Sequence, residues 1–107
     1  MKETAIYVGL SDSDALSQKH PTEKYLSVLR NVCRSYRTAF SVHIEQGGYF
    51  HEDGRYVEEN TLVLTLADAP DETVSEIAKD LCAFFNQESV MITEREASVR
   101  FIHEDIV

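Results

Sequence analysis

Apolar residues recur with two different periods along this chain, and the switches between them mark its elements. Ile6, Val8 and Leu10 alternate with Ala5, Tyr7 and Gly9, which predicts a strand over Lys2–Leu10. Ser11 to Lys19 is polar and reads as a loop. After Pro21, Tyr25, Leu29, Val32, Cys33 and Tyr36 recur at helical spacing, while Lys24, Arg30, Arg34 and Arg37 take the opposite face. Phe40, Val42 and Ile44 return to period two. Gly47-Gly48 is expected to bulge or kink that strand, and Asp53-Gly54 to turn a hairpin. The return strand, Tyr56–Ala67, carries Leu62, Leu64 and Leu66 on one face. Pro70-Asp71-Glu72-Thr73 opens a second helix, with Thr73 and Glu76 spaced as a capping box. Its stripe is Val74, Ile77, Ala78, Leu81, Phe84 and Phe85, and Asn86 suits a left-handed end. Ser89 to about His103 reads as the last strand, with a change of parity near Glu94-Arg95-Glu96 that a bulge or an extension past the sheet would explain.

The order is β-α-β-β-α-β. Two one-sided helices need a sheet to cover, and four strands make one. Right-handed crossovers then predict an α+β, ferredoxin-like domain over residues 1–107. Its antiparallel sheet has order 4-1-3-2, with both helices on one face. That topology gathers the Ser11–Lys19 loop, the hairpin tip and the Asn86–Ser89 junction at one end.

Composition narrows the picture. A 107-residue chain with 43% hydrophobic side chains makes one modest core, burying roughly 65% of its unfolded surface. No run approaches a membrane span, and the start of the chain leaves no room for a leader, so the reading is cytoplasmic with no membrane partner. Cys33 and Cys82 fall on apolar helix faces and read as structural thiols. The net charge is −9, unevenly placed. Residues 1–50 hold six basic and five acidic side chains; residues 51–107 hold four and fourteen. Such a balance argues against nucleic acid and leaves room for basic protein partners. The basic first helix and acidic second helix are expected to pair some of their charges.

Several segments match a known family in order. Glu3-Thr4-Ala5-Ile6-Tyr7-Val8-Gly9-Leu10 opens the match. Gly48-Tyr49-Phe50, Gly54-Arg55 and a following Glu58 or Glu59 continue it. Phe85-Asn86-Gln87-Glu88-Ser89-Val90 and Val99-Arg100-Phe101 close it. In these segments the chain resembles the bacterial domain of unknown function 3574. It departs from that pattern in lacking a central tryptophan and in reading Cys33-Arg34-Ser35-Tyr36 after the first helix. The resemblance implies no activity.

No catalytic residue, cofactor or metal site is assigned. His20, His43, His51 and His103 lack the short spacings of metal motifs, although His43 and Glu45 share a strand face. No nucleophile elbow or phosphate loop is present. The expected ligand or partner site comprises Tyr49, His51, Arg55 and Glu88 at the loop end, with Tyr7 and His43 on the helix-free face of the sheet. Arg55 can equally pair with Glu88. The open sheet face, centred on Tyr7, His43 and Val63, is expected to stack on a second copy. Three function classes fit. The first is an oligomeric module binding a small ligand or protein. The second is a small cofactor-independent enzyme, oxygenase- or isomerase-like, with a pocket between subunits and His43 as base. The third is an acidic inhibitor of phage or plasmid origin.

Overall fold

The computed structural model describes residues 1–105 and contains six elements in the expected order. They are β1 (Lys2–Gly9), α1 (Thr22–Ser35), β2 (Ser41–Phe50), β3 (Tyr56–Ala67), α2 (Asp71–Phe84) and β4 (Met91–Glu96). The sheet order is β2-β3-β1-β4, which is 4-1-3-2 read in reverse, and all three pairings are antiparallel. The fold is ferredoxin-like α+β.

The core follows from the two periods. Thr4, Ile6, Val8 and Leu10 point from β1 and its end toward the helices, as do Leu62, Leu64 and Leu66 from β3. Leu29, Val32, Ile77 and Leu81 meet them from α1 and α2, and each of these apolar side chains is at most 5% exposed. The Thr4 hydroxyl is buried there without a hydrogen-bond partner among the described residues. Tyr25 and Phe85 add an edge-on aromatic contact, ring centroids 5.1 Å apart, where α2 ends. Asn86 follows with φ +49°, the left-handed stop expected of it.

Five expectations are revised. Pro70 stands at the N-cap of α2 and makes no side-chain cap, so Thr73 already lies inside the first turn and the Thr73–Glu76 box does not form. Phe84 faces water, 65% exposed, because the α2 stripe turns inward again at Phe85. Gly47-Gly48 does not bulge: β2 pairs with β3 without a break from Ser41↔Thr65 to Phe50↔Tyr56. Gly48 has a different use, since the Tyr56 ring occupies the space a Cβ would take. Helix charges do not interlock as expected; the polar link between α1 and α2 is the Tyr36 hydroxyl donating to Asp80 at 2.9 Å, which raises the phenol's pKa.

The last strand is shorter than expected. β4 ends at Glu96, opposite Lys2, and the amide of Ala97 makes one more bond to the Met1 carbonyl at 2.9 Å. There β1 runs out of partners. Beyond it residues 98–105 carry on outside the sheet, and Val99, Phe101 and Ile102 stand in water.

Candidate functional site

The loop end is built around one carboxylate. Glu59 sits on β3 just past the level where β1 stops, since the last β1–β3 pair is Gly9↔Thr61. Its carboxylate lies over Gly9; a Cβ there would be 2.7 Å from Oε2 and 2.8 Å from Oε1. The Ser11 amide donates to Oε2 at 3.3 Å. The glycine of the opening segment therefore makes room for the glutamate, and the chain reversal after β1 supplies a donor to it.

Two adjoining cavities share Ser11, Leu16 and Glu59 in their walls. One, about 530 Å³, runs along the hairpin and adds Gln18, Gly48, Tyr56 and Glu58. The other, about 400 Å³, opens toward the α2–β4 junction and adds Asp12, Tyr49, His51 and Glu88. Neither has a Lys or Arg in its lining. The first presents two carboxylates and no cationic side chain. The second presents four carboxylates, those of Asp12, Glu52, Glu59 and Glu88, against one imidazole. A field of one sign in a concave site concentrates ligands of the other sign.

The walls are held by polar ties between distant segments. Asp12 accepts from Asn86 Nδ2 at 2.9 Å and from the amides of Ala15 and Asp14 at 3.0 and 2.9 Å. The bond from Asn86, those amides and the Lys19 ammonium 3.5 Å away lower its pKa from 3.8 to about 2. Gln87 Nε2 donates to the Ser11 carbonyl at 2.6 Å, and the Cys82 thiol donates to the Gln87 carbonyl at 3.0 Å. Asn60 Nδ2 donates to Gln18 Oε1 at 3.2 Å, joining the loop to the hairpin base. The Asn86-Gln87 pair thus works as a brace, fixing the Ser11 segment under Glu59.

The expected site residues divide three ways. Tyr49, His51 and Glu88 meet in the second cavity. Arg55 joins neither cavity. Its Nε donates to Asp53 Oδ2 at 2.7 Å, and its amide donates to the same carboxylate at 3.0 Å. These bonds lower the Asp53 pKa and close the hairpin turn around Gly54, φ +87°. The Arg55–Glu88 pairing offered by the sequence gives way to this nearer partner. Tyr7 and His43 line a separate cavity of about 430 Å³ on the open sheet face, with Val63, Thr65 and Arg95. There Arg95 pairs with Glu3 at 2.7 Å and His43 with Glu45 at 3.1 Å. That face is drier at its centre than its composition suggests, since Val63 is 2% exposed. Among the described residues no three His, Cys, Asp or Glu side chains come together as a metal-holding group, and no helix is long and apolar enough to cross a membrane.

Sequence reading missed Glu59, Gly9 and Ser11 as members of the site. The signal was present, because Gly9 and Glu58 or Glu59 fall in the segments that carry the family resemblance. What was lacking was the register that pairs Gly9 with Thr61 and so sets Glu59, two residues on, over Gly9.

No protein-family model matches the chain, and no curated protein matches it. Solved structures do. A phage SAM lyase in complex with S-methyl-5'-thioadenosine superposes with a TM-score of 0.69 at 23% identity, covering 89% of this chain and 80% of the lyase chain. A phage SAM lyase in the apo state gives 0.68 at 22% identity over 88% and 78%. The periplasmic divalent cation tolerance protein CutA from Archaeoglobus fulgidus gives 0.57 at 10% identity over 92% and 87%. At these identities the likeness is one of fold.

Proposed function

We propose that the chain binds a small cationic nucleoside of the S-adenosylmethionine class at the Glu59 site and cleaves it as a lyase. The observation that carries this reading is the Glu59 carboxylate itself. It is seated over Gly9, held by the Ser11 amide, and shared by two cavities without a Lys or Arg in their walls. Such a site suits a ligand with positive charge, and both the sulfonium and the ammonium of S-adenosylmethionine supply it. The fold shared with a lyase that holds S-methyl-5'-thioadenosine, over most of both chains, supports the same ligand class.

The chemistry asks little of the protein. When the bond between sulfur and the amino-acid Cγ breaks, the bonding pair returns to sulfur and S-methyl-5'-thioadenosine leaves neutral. The four-carbon fragment then needs a new bond at Cγ. Its own carboxylate oxygen can close on Cγ with no proton moved. Alternatively a base takes a proton from Cβ, and that C–H pair forms the double bond. In this reading Glu59 fixes the ammonium in the first route and accepts the proton in the second.

The test is direct. Purified protein is incubated with S-adenosylmethionine, and S-methyl-5'-thioadenosine is followed by chromatography and mass spectrometry. The expected result is product formation that Glu59→Gln lowers by roughly 100-fold or more. Failure to release S-methyl-5'-thioadenosine, with calorimetric binding of the substrate intact, would leave a ligand-binding module and reject the lyase. Absence of both would reject the site.

A further inference from the structure

Two parts of the chain leave the packed domain at opposite ends. At one end β2 and β3 continue past Gly9↔Thr61 as a two-stranded ribbon to the pair Phe50↔Tyr56. At the other, residues 98–105 continue past the last β1–β4 pair, Lys2↔Glu96. These projections stretch the molecule to 62 Å along its longest axis. Its radius of gyration is 15.9 Å, against about 13 Å for a compact domain of this length.

The exposed apolar side chains concentrate on these projections and the edge beside them. The ribbon and the neighbouring part of β2 show Ile44, Tyr49, Phe50 and Tyr56, between 40% and 74% exposed. The arm shows Val99 at 47%, Phe101 at 74% and Ile102 at 82%. Among the described residues, 98–105 make no hydrogen bond to the remainder of the chain. The arm has neither Pro nor Gly, so nothing in it opposes an extended strand. The outer edge of β2 is open over ten residues, Ser41–Phe50, has Glu45 as its one acidic side chain, and contains no Lys, Arg or Pro. Those are the devices that usually keep a free edge from pairing.

We infer that residues 98–105 of one copy add as a fifth strand to the free β2 edge of a second copy. An acceptor in the same chain is ruled out by geometry. The arm leaves from β4 and β2 lies at the other edge of the sheet, three strand spacings or about 14 Å away. The arm also starts at the end of the sheet remote from the ribbon. The chain supplies both halves of the contact, an unpaired segment carrying three exposed apolar side chains and a free sheet edge, which makes a second copy the fitting partner. The joint buries Val99 and Phe101 against the β2 edge around Ile44 and satisfies backbone groups on both sides. It is head-to-tail, so a finite assembly requires the ring to close. This inference is independent of the lyase reading.

Light scattering on the full chain tests it. The wild type is expected as a discrete multiple of 12.2 kDa at micromolar concentration, and the double variant Val99→Asp/Phe101→Asp at the mass of one chain. Phe84→Asp changes an equally exposed apolar residue away from the joint and should leave the mass unchanged. Ile44→Lys blocks the acceptor instead and should also give single chains. Mixing it with the arm variant restores one joint per pair and should give twice the chain mass. Hydrogen exchange reads the same contact locally: β2 amides are protected in the wild type and lose that protection in the arm variant. A wild type at 12.2 kDa in high micromolar solution would overturn the inference. So would an assembly that both variants leave intact, or β2 protection that does not change.

Discussion

Gly9→Ala separates the site from the scaffold. The added Cβ would stand 2.7 Å from Glu59 Oε2, 2.8 Å from Oε1 and 2.9 Å from Cδ. Ordinary contact begins near 3.4 Å, so the carboxylate must retreat by about 0.7 Å. The obstacle is the far end of a flexible side chain and not backbone, and Gly9 has no left-handed φ that alanine would resist. The strand therefore accepts the methyl and gains some backbone entropy, about 0.5–1 kcal/mol by the usual glycine-to-alanine comparison. The site does not accept it. The Ser11 amide is already 3.3 Å from Oε2, so this long bond adds little to stability, and the displaced carboxylate no longer stands where a ligand meets it. A charge-assisted contact between that carboxylate and a cationic ligand is worth about 1.5–3 kcal/mol, and losing it corresponds to roughly a tenfold or greater loss of affinity. The assays are a thermal melt and calorimetric titration with S-adenosylmethionine, with S-methyl-5'-thioadenosine, which lacks both positive charges, as the control that Glu59 should not affect. The expected result is an unchanged or slightly raised melting point with weakened binding. A melting point several degrees lower would show that Gly9 serves packing, and unchanged affinity would show that Glu59 does not touch the ligand.

Four further outcomes follow from the same structure. Leu64 is 0% exposed at the centre of the core, so Leu64→Ala should cost about 2–5 kcal/mol in urea unfolding. Asp12 has its pKa lowered from 3.8 to about 2. A lowered folded-state value means that its contribution is fully present above pH 3.8 and is lost as pH falls toward 2. Asp12→Asn should accordingly melt below wild type at pH 7, with the gap closing between pH 4 and pH 2. Arg55 and Asp53 form an exposed pair, so Arg55→Ala should change stability by no more than about 1 kcal/mol and leave S-adenosylmethionine turnover alone; a large loss of turnover would return Arg55 to the site. Burial pushes the Cys33 thiol up to about 11, so native protein should leave Cys33 unlabelled by a thiol reagent at pH 8, and denaturant should expose it.

The fold was legible because its signals are local. Period-two runs set Ile6, Val8, Leu62, Leu64 and Leu66 on one face, helical stripes set Leu29, Val32, Ile77 and Leu81 opposite, and the crossover rules left one arrangement of four strands. The failures were local as well, and each has a competing cause. A Pro at the N-cap displaced the Thr73 box; the Tyr56 ring, not a bulge, accounts for Gly48; and β4 stopped where β1 ran out of partners, so the parity change near Glu94-Arg95-Glu96 marks the extension past the sheet and not a bulge. The site was legible only as a neighbourhood. Tyr49, His51 and Glu88 were brought together as expected because topology alone delivers them to one end. Arg55 was lost because Asp53, two residues away in the turn, captures it first.

Glu59 escaped notice for a different reason. Its setting is made of residues far apart in sequence, Gly9 and Ser11 beneath it and the Asn86-Gln87 brace behind Ser11, and only the β1–β3 register relates them. A carboxylate two residues from Val57 on an exposed hairpin looks, in sequence, like one more solvated acid among the fourteen in the second half of the chain. Register changes that reading. Shifting the pairing by one residue would turn Glu59 to the other face of the ribbon and set Asn60 over Gly9. The acidic excess of the second half therefore splits into two populations. Most of it, such as Glu72, Glu76 and Glu96, lies on exposed surface outside either cavity. Glu58 and Glu59, with Glu52 and Glu88, line two adjoining concavities whose walls, among the described residues, hold no Lys or Arg, and it is this group that the proposed cationic ligand would meet.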